Sequence, residues 1–152
     1  MMENKIPGES MKKGLVIIVS LVIISLITAF ISGERQQNAA GNSQQGPELY
    51  KQYCLSCHQP DGNGVRGMYP PLAGNPVVTG PADKLIRIVL FGLEGPLEVL
   101  GKEYNQVMPS QDYLSDKQIS SILTFLRSSW GNKADPVKES HVLKIRKAGK
   151  PQ

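Results

Sequence analysis

The sequence predicts an all-α fold: about three helices in one small domain, joined to a single N-terminal membrane-spanning helix. Three observations predict it. Twenty residues from Gly14 to Gly33 carry no charge. Apolar residues then recur at helical spacing in two later stretches, Leu85, Ile86, Val89 and Leu90, and Ile119, Ile122, Leu123, Leu126 and Trp130. Clusters of Gly and Pro separate these stretches, and no strand-like run stands near residues 54–58.

As a helix, the run 14–33 is about 30 Å long, the thickness of a bilayer's hydrocarbon core. Residues 1–13 precede it with Lys5, Lys12 and Lys13, whereas the first cation after it is Arg35, beside Glu34. The positive-inside rule therefore places residues 1–13 in the cytoplasm and the rest of the chain on the periplasmic or extracellular side of the cell membrane. The competing reading is a cleaved signal peptide. Its apolar region is usually about 7–15 residues and ends at a small-x-small site; here Phe30 and Ile31 occupy positions where small residues are wanted. Residues 34–45 have no apolar periodicity and read as a flexible linker.

The first helix of the domain is expected from about Pro47 to Cys57, since Pro suits a first helical turn. Gly62, Gly64 and Gly67 then form a loop. The second helix is expected from about Ala82 to Leu93, with core packing as its default role. The third is expected from Asp116 to Ser129, where Ser115 and Gln118 form a capping box and Gly131-Asn132 ends the helix. A short fourth helix near Glu139–Lys147 completes the candidates. Residues 46–132 read as the domain and 133–152 as a basic tail. From Gly46 to Gly131 there are seven Lys/Arg against eight Asp/Glu; from Asn132 to Gln152 there are six against two. The net charge of +4 therefore belongs to the ends. With no basic-aromatic interleaving, nucleic acid is not an expected partner. The tail reads as a solvated surface, with anionic lipid or an acidic partner as the alternative.

Cys54-Leu55-Ser56-Cys57-His58 spells C-x-x-C-H, the attachment signature of a c-type haem. At i and i+3 the two thiols share one face of a helical turn, so each can bond one vinyl group of the same porphyrin. His58 can then place a ring nitrogen on the iron. A thioredoxin-like pair expects a βαβ setting, a zinc site needs two more ligands, and a simple disulfide leaves His58 without a role. For the second axial position Met108 is the candidate, fifty residues after His58 and followed by Pro109, which fixes the backbone just beyond it. Met68, ten residues after His58, reads as core filler.

The segment from Gly46 to Asn132 resembles a class I (mitochondrial-type) cytochrome c domain. Gly46 and Tyr50 stand where that family has its N-terminal helix Gly and aromatic. Pro70-Pro71-Leu72-Ala73-Gly74 is similar to its P-x-L-x-G loop, and Met108-Pro109 to its distal ligand loop. Leu123-Thr124-Phe125-Leu126 is similar to its C-terminal helix, with Phe125 facing Tyr50 and Gly46. The resemblance implies one covalently bound haem c with its iron, His58 and Met108 as axial ligands, and a hydrogen bond from the other His58 nitrogen to the Pro70 carbonyl. Ser129-Trp130-Gly131-Asn132, with Val137, Val142 and Arg146 beyond, is similar to small cytochromes that partner quinoprotein alcohol or sugar dehydrogenases.

The expected role is that of a membrane-tethered electron carrier and not an enzyme, because iron with two axial ligands has no vacant site. Its expected partners are redox proteins: a dehydrogenase or quinol-oxidising complex as donor, and an oxidase or other cytochrome as acceptor. The alternatives are a haem subunit of a larger oxidoreductase complex and a haem peroxidase with an open distal site. Against the peroxidase, the only polar candidates near Met108 are Tyr104 and Asn105.

Overall fold

A computed structural model describes residues 37–150. From residue 40 onward the chain forms one compact unit, and residues 37–39 belong to a separate N-terminal unit. The expected cytoplasmic segment 1–13, the membrane run 14–33 and the linker residues 34–36 lie outside the described residues. Among the described residues no helix is long and apolar enough to cross a membrane.

The first helix, α1, spans Gln37–Tyr53. It starts ten residues before its expected beginning, so residues 37–45 are helix and not irregular linker. Gln and Ala are good helix formers, and no Pro interrupts the chain until Pro47, which lies inside the helix and not in its first turn. A turn at Cys54 follows, and then α2, Leu55–His58. The break comes where Gln59 takes a positive φ of 61°.

Asn75 caps α3, Pro76–Thr79, by accepting from the Val77 N–H. The next helix, α4, covers Ala82–Phe91 and buries Leu85, Ile86, Val89 and Leu90, the stripe its spacing predicts. Next comes an element that the all-α expectation does not contain. β1, Leu97–Val99, pairs antiparallel with β2, Lys102–Tyr104. Leu100 and Gly101 join them, both at positive φ (51° and 72°), as a two-residue hairpin turn with right-handed strand twist demands. Leu at the first turn position hides the signal that Asn-Gly would have carried.

Ser115 and Gln118 close the expected capping box at the start of α5, Asp116–Ser128. Ile119, Ile122, Leu123 and Leu126 of this helix are buried. The last helix, α6, spans Glu139–Ala148 and packs against α5 and α4. Val142 and Ile145 of α6, and Val137 before it, join the same core. The boundary drawn at residue 132 therefore falls inside the compact unit, and residues 133–150 are not an appendage. Each such buried side chain contributes up to about 1.5–3 kcal/mol. Only two of the ten residues of α6 are buried, so its mostly polar surface reads as a tail in sequence.

α1 crosses α5 at Gly46. A Cβ on Gly46 would lie 2.7 Å from Phe125 Cβ and 2.7 Å from the Ser121 carbonyl oxygen. Backbone cannot swing away as a side-chain tip can. Gly46→Val is expected to cost about 1–3 kcal/mol by overpacking, read as a lowered thermal midpoint of the haem-loaded protein. An unchanged midpoint would mean that this crossing is not closely packed.

Candidate functional site

One wall of the site is the turn from Cys54 to His58. Its backbone is wound by Cys54 N–H to the Tyr50 carbonyl (2.8 Å) and His58 N–H to the Cys54 carbonyl (2.9 Å). The Tyr50 hydroxyl donates to the Gln59 carbonyl at 2.6 Å, tying the end of the turn back to α1. Tyr50 also belongs to an aromatic trio with Phe125 and Trp130, its ring centroid 5.4 and 5.1 Å from theirs. The predicted contact of Tyr50 with Phe125 is thus present. Trp130 lies past the end of α5, over Gly62, where a Cβ would come 2.5 Å from the indole ring. Its indole N–H donates to the Pro60 carbonyl at 3.1 Å.

The His58 Nδ1 stands 3.0 Å from the Pro70 carbonyl oxygen. A carbonyl can only accept, so Nδ1 carries the proton, and in the neutral ring Nε2 keeps its lone pair. Burial pushes the His58 pKa down, partly offset by the Pro70 bond, which favours that neutral ring. Burial, helped by the neighbouring Cys57, pushes the Cys54 thiol up to about 12.

Met108 lies on another wall, held by backbone. Leu93 and Met108 exchange both N–H···O bonds at 2.9 Å. Gly92, at φ +76°, allows this approach, because a Cβ there would meet the Met108 carbonyl oxygen at 2.6 Å. Gln111 N–H donates to the Val89 carbonyl at 2.8 Å. The Met108 loop is thus clamped to α4, which gives that helix a positioning role in addition to core packing.

Cys54, Cys57, His58, Pro70 and Met108 line a single cavity. Its volume is about 1220 Å3, open mouth included. Leu, Ile and Val side chains supply most of the remaining wall, among them Leu72, Val77, Leu85, Leu114, Ile122 and Leu126. Tyr104, expected as a polar neighbour of Met108, is buried and lines the cavity with Gln106 and Gln111; Asn105 is exposed and does not line it. Met68 is 44 % exposed and lies outside the lining, so it is neither core filler nor part of the site.

Two side chains that hold the cavity walls were not legible as site residues. Asn132 is buried, donates to the Leu72 and Leu126 carbonyls at 3.0 and 2.8 Å, and accepts from the Gly74 N–H at 2.9 Å. In sequence it reads as a helix stop. Arg127 is 6 % exposed and donates to the carbonyls of Asp135, Val78 and Gly80 at 2.6, 2.7 and 2.8 Å. A charged residue inside an apolar stripe was its only signal.

The donor set fits a flat apolar group with a metal at its centre: two adjacent thiols and a neutral imidazole on one wall, a soft thioether on another, and hydrocarbon between. That combination defines a c-type haem domain. The chain matches the family model described as cytochrome c over residues 43–130; it belongs to the cytochrome c family. Membership implies a covalently bound haem c with its iron, and an electron-transfer domain, not a catalytic one. The chain is 40 % identical over 118 residues to the cytochrome c subunit of alcohol dehydrogenase (quinone) from Gluconobacter oxydans (strain 621H), covering 75 % of this chain and 24 % of that protein. It is 40 % identical over 91 residues to cytochrome c-552 of Thermus thermophilus, covering 57 % of this chain and 69 % of that one. To the gluconate 2-dehydrogenase cytochrome c subunit of Pantoea cypripedii it is 36 % identical over 96 residues, 61 % of this chain and 22 % of that subunit. The chain thus spans about a quarter of the dehydrogenase subunits it matches.

Proposed function

We propose that this chain is a membrane-tethered monohaem electron carrier. In it, Cys54 and Cys57 would hold the porphyrin by thioether bonds, and His58 and Met108 would ligate its iron. The single observation that carries the reading is the convergence of these four side chains on one apolar cavity. When bound, the haem supplies a one-electron ferric/ferrous couple. The Pro70 carbonyl orients the His58 ring and raises its basicity as a ligand. The Met108 thioether favours the reduced iron and so raises the potential. The hydrocarbon wall excludes water and pushes the potential the same way. With His58 and Met108 both on the iron no position would remain for a substrate, which sets this reading above a peroxidase.

Residues 14–33 are the anchor, with the domain on the exported face. The donor is a dehydrogenase or quinol-oxidising complex, and the acceptor an oxidase or another cytochrome. Relatives that are dehydrogenase cytochrome subunits support the donor class. The alternative of a fixed subunit is separated by purification in mild detergent. A carrier elutes alone, whereas a subunit elutes with a large dehydrogenase or oxidase.

Acid-acetone treatment followed by mass measurement tests the attachment. One haem is expected to stay on the wild-type chain, and Cys54→Ser with Cys57→Ser is expected to release all of it. Free extraction from the wild type would refute covalent attachment. Alkaline carbonate washing tests the anchor: haem remaining in the membrane pellet is expected, and a soluble haem chain beginning near Glu34 would refute it.

A further inference from the structure

The basic segment of the sequence is left without a role by the cavity. Its charges sit on the outside of α6. Val142 and Ile145 point into the core, and the opposite face of the helix carries Leu143, Lys144 and Lys147 around Ser140. Leu143 is 40 % exposed. Lys133, Lys138 and Lys150 are also exposed beside this helix. No ion pair joins any of these lysines to a described carboxylate. Arg146 differs: it is spent within the fold on Asp116 and the carbonyls of Asp112 and Leu114.

Ordinary helix electrostatics accounts for only part of this face. A cation in the last turn suits the helix dipole, which explains Arg146 and Lys147. Lys138 sits at the N-cap, the end that disfavours a cation. Lys144 and Lys147 are three apart, so they repel one another.

We propose that the outward face of α6 is a docking surface for an anionic phospholipid bilayer. The inference rests on the membrane location proposed above. The make-up of the face favours lipid over an acidic protein. Every uncommitted cation is Lys, a hydrated point charge on a flexible stem, and not the planar Arg fork that protein carboxylates select. One exposed Leu among lysines suits shallow insertion between headgroups. It does not make the apolar, aromatic-rich centre of a protein interface.

Docking here leaves the electron route free, because among the described residues none of 133–150 lines the cavity. The hairpin at the cavity has the opposite charge. Its exposed Glu98 and Glu103 stand directly opposite each other, and an anionic surface repels them. The two signs together favour α6 over the hairpin as the surface that meets an anionic bilayer.

The test uses the full-length, haem-loaded chain with vesicles of phosphatidylcholine alone or mixed with phosphatidylglycerol. Lysine acetylation is read residue by residue by mass spectrometry. Labelling of Lys144 and Lys147 is expected to fall about fivefold on the anionic vesicles at low salt and to recover at high salt. Lys102, on the hairpin, is expected to label equally in all conditions. Lys144→Gln with Lys147→Gln is expected to abolish the shielding of Lys150 with unchanged helicity by circular dichroism, since Gln keeps the helix. Equal labelling of Lys144 and Lys147 in both vesicle types would overturn the proposal. So would shielding that needs an added membrane-protein fraction and no anionic lipid, which would make the occupant an acidic protein. Carbonate washing keeps the two readings apart. Release of the chain with salt-sensitive shielding intact refutes only the anchor; retention with equal labelling refutes only the docking.

Discussion

Met108→Ala is expected to lower the midpoint potential by more than roughly 60 mV, the one-electron equivalent of a tenfold change in equilibrium. It is also expected to let carbon monoxide bind the reduced protein. The backbone at residue 108 is held by its paired bonds to Leu93, and Ala keeps both. The substitution therefore removes the thioether and leaves the loop in place. Losing a soft ligand that favours ferrous iron lowers the potential, and the vacated position becomes open to a small ligand. Met68→Ala is the control. Met68 is exposed and outside the cavity, so potential and carbon monoxide binding are expected to stay at wild-type values. If Met68→Ala gave the changes and Met108→Ala did not, the axial assignment would be wrong.

Asn132→Ala is expected to destabilise the haem-loaded protein by about 3–5 kcal/mol. It strands the Leu72 and Leu126 carbonyls and the Gly74 N–H, each costing about 1–3 kcal/mol when buried and unpaired. Partial relaxation keeps the total below the simple maximum. Against a usual stability of about 5–15 kcal/mol this is a large loss, read as a fall of about 15 °C or more in thermal midpoint. Leu72 lies two residues from Pro70, the acceptor for His58, so the loosened loop is also expected to broaden the redox titration. Asn132→Asp keeps the acceptor for Gly74 but turns a buried carboxylate oxygen on the Leu72 and Leu126 carbonyls, and is expected to destabilise at least as much as Ala. A loss under about 1 kcal/mol for Asn132→Ala would mean that the 72–74 loop holds itself.

What the sequence exposed and what it hid divide along a physical line. Periodicity reports local burial, so the stripes of α4 and α5 were legible, and so was the Ser115/Gln118 cap, which spans one turn. α6 was weakly legible because only Val142 and Ile145 are buried in it. The start of α1 was hidden: Pro47 reads as a first-turn residue, yet it lies inside a helix that begins at Gln37. The hairpin was hidden because its positive-φ turn begins with Leu100 in place of the usual Asn or Gly.

By itself the sequence determined the chemistry. Two thiols and an imidazole within five residues need no distant partner to be recognised, since a single helical turn places them together. Gly46, Tyr50 and Phe125 also declared their contact through the family resemblance. The cavity was decided by tertiary structure alone. It depends on the Met108 loop being clamped to the end of α4, on the hairpin supplying Leu97 and Tyr104 to the wall, and on Asn132 and Arg127 reaching carbonyls up to 60 and 49 residues away. Bonds from side chain to distant backbone leave no periodic trace in a sequence, because the carbonyl is the same at every residue. Only the folded chain determines which one is met.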